Sequence, residues 1–304
     1  MIITQNIRLG RIVRGTWKNT IMIAFTCSMT YFLYWYFIQY HFEMPAIVPT
    51  ILGTALAFFI GFNNNQAYDR WWEARKVWGV LVNSSRTWAR NIILLPTATE
   101  QIKGQHLQLM KEYTVKRHIA FLYALKEKLR GSSTGEYKKY LIQSDLDIIK
   151  GESNKHNAIL SLQTMELKSW RRDGLIDGFE FLELNAEITR FCDEMGKSER
   201  IKNTVFPTTY NYYTKMFIWL FNIAFTLAVA PTVGWRAIIF GTIVGYVFHT
   251  IHFIGQAIIN PFEPIPTGIP LDQITRTIEI NLLEMIREEH IPAPVSPIND
   301  EYVM

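Results

Sequence analysis

The chain has 304 residues, 19% of them charged, with a formal net charge of +4 at pH 7 and a mean hydropathy close to zero. Such averages suit one or two soluble domains, yet they combine four windows almost without charge and a middle, residues 63–215, that holds most of the Lys, Arg, Asp and Glu. The basic excess requires no nucleic acid, because basic residues beside membrane ends act as cytoplasmic anchors, and the two cysteines, Cys27 in an apolar window and Cys192 in the polar middle, exclude a disulfide framework and read as buried apolar filler.

The amino terminus carries Arg8, Arg11, Arg14 and Lys18 and no acidic residue, so residues 1–20 read as a basic cytosolic segment. The apolar run 21–40 is longer than a signal-peptide core and reaches the roughly 20 residues that cross a bilayer. It ends in Tyr34, Trp35, Tyr36 and Tyr40, as expected at a headgroup interface. After a turn at 41–45 comes a second crossing, 46–62. Residues 45–78 read as one helix leaving the membrane for water: apolar to Phe62, amide-rich from Asn63, then charged and tryptophan-rich, with no glycine between Gly61 and Gly79. Gly53, Ala57 and Gly61 make a stripe of small residues suited to close helix contact. Thr54, Phe58 and Phe62 make a neighbouring stripe, which Asn65 and Asp69 extend beyond the membrane. Spacing alone leaves that second face open between packed core and pore wall. An apolar constriction followed by a polar vestibule favours the pore.

The middle shows helical periodicity and no strand-like alternation. One helix is expected over 106–130, ended by Gly131. Turns are expected at Asp173-Gly174 and Asp177-Gly178, and Gly196 is expected to interrupt the run 179–206. A third crossing, 216–233, carries Asn222. The fourth, 237–259, contains Gly241 and Gly245, whose spacing lets another helix come close, and stops at Asn260-Pro261-Phe262. A proline-rich loop, a helix over 271–289 and a tail from 290 without structure of its own complete the chain. It thus divides into 1–20, two transmembrane helices in 21–62, a helical cytosolic region in 63–215, two further transmembrane helices in 216–259, and a cytosolic C-terminal helix and tail in 260–304. Four crossings place both termini on one side, and the basic amino terminus makes that side the cytoplasm of a plasma (inner) membrane.

Enzyme motifs are absent: no Gly-rich phosphate loop, Gly-x-Ser-x-Gly, His-Glu-x-x-His or Cys-x-x-Cys. His249 and His252 share one face of the fourth crossing. With no Cys or carboxylate beside them they read as hydrogen-bonding glue between helices rather than metal ligands. No catalytic residue, metal or cofactor is assigned, and the chain is read as a non-enzyme.

The run GFNNNQAYDRWWEARKVWG, containing Gly61 and Arg70-Trp71-Trp72, the Gly-Arg-Ile-Val-Arg-Gly-Thr-Trp segment near the amino terminus, Asn260-Pro261-Phe262, and Leu271-Asp272 with Thr277-Ile278-Glu279 together resemble the bestrophin family in its bacterial branch. The resemblance covers essentially the whole chain. It implies an all-α homopentameric ion channel, four transmembrane helices per subunit, with one pore along the five-fold axis. Animal relatives are calcium-activated chloride channels, and some bacterial relatives favour cations. Carried over from Arg70, the family's hydrophobic neck falls on Thr54, Phe58 and Phe62, with Thr54 where relatives commonly have an aliphatic residue. A cytosolic aperture falls on Phe179, counting from Gly196 and Pro207. Glu263-Pro264-Ile265-Pro266 replaces the acidic run with which animal relatives hold calcium, so no comparable calcium site is expected. The expected function is passive conduction of monovalent ions in a lipid bilayer, with chloride and other anions favoured as the family's commonest role. A sodium-selective channel of the same architecture, favoured by Asp69, and a non-conducting membrane scaffold are the alternatives.

Overall fold

The computed structural model describes residues 9–204, 208–299 and 301–304, with side chains from residue 15 onward. Arg8, Phe206 and Pro207 lie outside the described residues. Among the described residues, nine α-helices follow one another: α1 (Leu9–Tyr36), α2 (Ile47–Leu94), α3 (Gly104–Arg130), α4 (Gln143–Ile149), α5 (Lys155–Arg172), α6 (Gly178–Asn203), α7 (Thr208–Val233), α8 (Arg236–Gln256) and α9 (Leu271–Met285). No strand is present among the described residues, only an isolated antiparallel bridge between Ile298 and Tyr302.

The chain forms two compact units. One holds the described residues of Thr4–Trp71 and Val205–Asn260, the other Trp72–Thr204 and Pro261–Met304. Among the described residues three helices, α2, α7 and α8, are long and apolar enough to cross a membrane. The stretch expected as the first crossing lies in α1, which begins well before residue 21 and ends at Tyr36. It falls short of the same apolarity because Thr20, Thr26, Thr30, Tyr31, Tyr34 and Tyr36 dilute it.

In the first unit, glycines set the distance between helices. Ile23 and Cys27 of α1 are fully buried. A Cβ at Gly241 would stand 2.6 Å from Thr226 Oγ1 and 2.9 Å from Cys27 Sγ, and one at Gly245 2.7 Å from Asn222 Oδ1 and 2.8 Å from Ile23 Cγ2. The small residues of α8 therefore receive α1 on one side and α7 on the other, as small-residue interfaces do in membranes. Asn222 is buried there, and its amide donates to Cys27 Sγ at 3.3 Å. On α2, Leu56 and Ile60 pack with Ile218 and Phe221 of α7, and Gly53 leaves room for the Phe221 ring. Gly61, by contrast, meets nothing within 4 Å, and Ala57 is exposed. Of the small stripe on α2, only Gly53 packs closely within the chain.

The second unit is built around α3, whose side chains from Val115 to Leu125 are nearly all buried. Gly131, in the left-handed region at φ 66°, ends the helix. Polar staples fix the surrounding elements. Arg117 bonds both carboxylate oxygens of Asp145 at 2.8 and 3.1 Å. Asp272 at the start of α9 bridges Lys126 at 3.0 Å and Arg130 at 3.2 Å. Glu279 is 1% exposed; it accepts bonds from the Tyr123 and Tyr140 hydroxyls and pairs with Arg276 at 2.8 Å. Burial and this carboxylate push both phenol pKa values up.

Two expectations are corrected here. Helix α6 runs unbroken through Gly196: a glycine lowers helix propensity by only about 1 kcal/mol, which the packed neighbours offset. Cys192 is exposed, not buried filler. The tail after residue 290 adopts no helix, but it is ordered on α9: Val303 is buried, and the Gln273 amide donates to Met304 O at 2.8 Å.

His118 on α3 is fully buried among Trp88, Phe121 and Phe191. The Ser85 hydroxyl donates to Leu81 O at 2.6 Å, so it is the imidazole Nε2–H that donates to Ser85 Oγ at 2.9 Å. Burial pushes this imidazole down to about 3 from its ordinary 6.5. The unfolded chain therefore takes up a proton that the folded chain refuses as pH falls below 6.5, which removes stability at up to about 1.4 kcal/mol per pH unit. Melting curves in detergent between pH 4 and 6.5 should fall more steeply for the wild type than for His118→Gln, which keeps the donor and loses the titration; parallel curves would refute the assignment. Gly245→Val should lower the melting temperature through overpacking of roughly 1–3 kcal/mol, whereas Gly104→Ala, where the added methyl meets open space, should not.

Candidate functional site

Helix α2 is 48 residues long, about 72 Å at 1.5 Å per residue, and its two faces differ along its length. Leu56, Ile60, Asn63 and Ala67 lie buried on one face in the first unit, and Ala74, Trp78, Leu81, Ser85, Trp88 and Ile92 continue that face in the second. Away from it runs an exposed seam: Ile51, Ala55, Phe58, Phe62, Asn65, Asp69, Trp72, Lys76, Asn83, Arg86 and Arg90. Members of both sets recur at alternating intervals of three and four residues, with one turn of the seam filled by the half-exposed Gly79 and one turn of the buried face by the partly buried Arg70. Such a 3.5-residue repeat keeps one face constant along a gently supercoiled helix.

The chemistry of the seam changes in order. At its start are Phe58 and Phe62, 73% and 54% exposed, with Thr54 beside them. The Thr54 hydroxyl donates to Thr50 O at 2.9 Å and that of Thr50 to Ala46 O at 2.8 Å, so both present methyl groups outward and add little polarity. Next come Asn65 and Asp69, whose amide and carboxylate lie 3.4 Å apart. Basic residues follow. Arg86 donates twice to Asn281 Oδ1, at 3.0 and 2.7 Å, and with Arg90 it lines an open cleft that Glu284 and Met285 close.

The other residues singled out in the sequence lie elsewhere. Phe179, 84% exposed, stands in the first turn of α6, held by reciprocal bonds between Asp177 and Glu180, both 2.8 Å. Trp71 stacks on Tyr68 with ring centroids 6.2 Å apart, Trp72 is half exposed and Arg70 is partly buried. Pro261 and Phe262 are buried, and their loop closes by its own backbone, with the Ile269 amide on Pro261 O at 2.8 Å. His252 Nε2 pairs with Asn211 Oδ1 at 2.9 Å, and the His249 ring meets Trp219 edge-on at 4.7 Å. Both tie α8 to α7. Among the described residues no three His, Cys, Asp or Glu side chains gather as metal ligands.

The lower half of the seam was missed in the sequence, although the signal was there: Phe62, Asp69, Lys76, Asn83 and Arg90 stand seven apart. Fold and seam define an all-helical membrane protein whose longest helix shows one unbroken face, apolar at one end and basic at the other. A family model described as bacterial/fungal bestrophin protein matches residues 3–284, and the chain belongs to that family. It is 30% identical over 250 residues to the voltage-dependent anion channel-forming protein YneE of Escherichia coli, covering 82% of this chain and 79% of the relative. A voltage-dependent anion channel-forming protein of a Nostoc species is 27% identical over 285 residues, 90% and 87% of the two chains. The crystal structure of a bacterial bestrophin homologue from Klebsiella pneumoniae shares the fold with a TM-score of 0.81 at 23% identity, covering 89% of this chain and 98% of that one.

Proposed function

We propose that this protein is the subunit of a homopentameric channel for monovalent anions, in which five copies of α2 turn their exposed seams to a common axis. The seam itself carries the proposal. Lipid would reject Asn65 and Asp69, and water alone gives no reason for a row of exposed phenylalanines; a shared pore that narrows and then widens into water accounts for both. Membership of the bestrophin family supports the reading, as do relatives named as anion channel-forming proteins. Nothing in the site calls for an enzyme.

Rings of Thr54, Phe58 and Phe62 would form the neck. Water and ions leave so apolar a constriction unless it widens, which makes it a gate. Phenyl edges carry partial positive charge and favour an anion when they point inward. Asn65 and Asp69 would line the vestibule below, Lys76, Arg86 and Arg90 would concentrate anions further on, and Phe179 would ring the cytosolic exit. In this arrangement α1, the start of α2, α7 and α8 cross a plasma (inner) membrane, residues 63–215 and the C-terminal part are cytosolic, and both termini face the cytoplasm, as the basic amino terminus favours. Asp69, directly below the neck, is the observation that favours a cation-selective channel of the same build.

Planar-bilayer recording of the purified protein tests the proposal. Current under a salt gradient should reverse near the chloride equilibrium potential; reversal on the cation side would overturn the anion assignment. Absence of liposome flux for every monovalent ion would make the protein a scaffold instead. Phe58→Ala/Phe62→Ala should leak several-fold more current in the closed condition, and wild-type leak would remove both residues from the neck. Lys76→Glu/Arg90→Glu should cut anion conductance several-fold while moving the reversal potential little. Unchanged conductance would take the lower seam out of the ion path.

A further inference from the structure

Arg86 and Arg90 stand one turn apart on α2, where side chains four residues apart are neighbours, and both line one cleft with Asn281, Glu284 and Met285 of α9. Each guanidinium is held by a neutral oxygen. Arg86 gives Nε–H and one Nη2–H to Asn281 Oδ1, at 3.0 and 2.7 Å. Arg90 gives an Nη2–H to Thr87 Oγ1 at 3.3 Å, which folds it back toward the turn that carries Arg86. A guanidinium has donors only, so the amide oxygen of Asn281 is the atom that must face it. Among the described residues neither arginine pairs with a carboxylate. Glu284 lines the same cleft and is exposed, yet it bonds to neither, and Glu183 takes its bond from Asn91 at 3.2 Å instead. A contact that served only to dock α9 on α2 would be stronger with a carboxylate at 281. An amide fixes the arginine and leaves its charge. The end-on edge of Arg86, Nη1–H with the second Nη2–H, stays open for a partner with two oxygens.

We propose that this cleft binds a phosphate group, its oxygens bridging Arg86 and Arg90. Two fixed guanidinia against one carboxylate leave the cleft net positive, and their planar forks match the paired oxygens of a tetrahedral oxyanion better than a spherical chloride. Asn281 is a positioning residue: it orients Arg86 and touches no phosphate. Glu284 opposes binding and keeps it reversible. The proposal goes beyond conduction and does not depend on it.

Calorimetric titration of the full-length protein in detergent with sodium phosphate, at constant pH and with ionic strength held by sodium chloride, tests it. Wild type should bind phosphate saturably over that chloride background, one equivalent per chain. Arg86→Gln/Arg90→Gln, at two exposed side chains, should abolish the saturable heat. Asn281→Asp still holds Arg86 but cancels its charge, so it should weaken binding several-fold; a purely structural Asn281 would be matched or improved by the carboxylate. Glu284→Gln should tighten binding several-fold, a gain that misfolding cannot produce. The proposal is overturned by a wild type without saturable heat, by binding that survives the double substitution, by Asn281→Asp as tight as wild type, or by Glu284→Gln no tighter. Glycerol phosphate separates two sources of the group: binding tighter than inorganic phosphate upholds the site as one for an ester, and looser binding upholds it as one for the free anion. A protein that binds phosphate in this way and passes no ion keeps the site and ends the channel reading.

Discussion

A single helix that is apolar at one end and charged at the other has to keep one face buried throughout, and the rest of this structure is arranged around that constraint on α2. An α-helix satisfies its own backbone, so it passes from hydrocarbon into water without a break. Its side chains must change medium while its buried face stays buried. Leu56 and Ile60 serve that end among the phenylalanines of α7; Trp78, Trp88 and Ile92 serve it further on. The alternation of three- and four-residue steps makes the opposite face a continuous row, which slants by about 20° per heptad about a straight helix axis.

The two units hold their helices by different means. Where lipid offers no hydrophobic drive between helices, contact depends on close approach, and Gly241 and Gly245 provide it for Ile23, Cys27 and Asn222. In the unit around α3, apolar burial does most of the work, while ion pairs at Asp145 and Asp272 and the Tyr123 and Tyr140 hydroxyls on Glu279 set register. Buried pairs of this kind return little net stability after desolvation, but losing one partner is costly. They explain why Asp272 and Glu279 stand out in the sequence: both dock α9 on α3 and neither belongs to the seam.

Much of this was legible in the residues. The long helix through Arg70-Trp71-Trp72, the close approach at Gly241 and Gly245, and the stop at Gly131 all follow from local rules. Gly196 misled, because a glycine in mid-helix is a weak breaker when both flanks are packed. The seam was read only as far as Asp69. Beyond it, Lys76, Asn83 and Arg90 look like any solvated helix face, and only a helix continuous to Leu94 places them in line with Phe62. Exposure of Cys192 was not legible, since burial on α6 depends on partners distant in sequence. The hydroxyl directions of Thr50 and Thr54 were equally hidden, yet they make the outer end of the proposed neck drier than its composition suggests.

Distance along the helix bears on which seam residues choose an ion in the proposed pore. Asp69 stands seven residues beyond Phe62, about 10 Å, and Lys76 the same distance further. The Debye length in physiological salt is about 8 Å, so water in a wide vestibule screens most of the Asp69 field before it reaches the phenyl rings. Screening fails inside a narrow apolar neck, where few waters intervene and the ring edges touch the ion. Selection in the proposed pore would therefore belong to Phe58 and Phe62. Asp69, Lys76 and Arg90 would set how many ions of each sign wait at the mouth. A carboxylate below the neck is on these terms compatible with an anion channel, and the basic residues beyond it compensate for the counter-charge it brings.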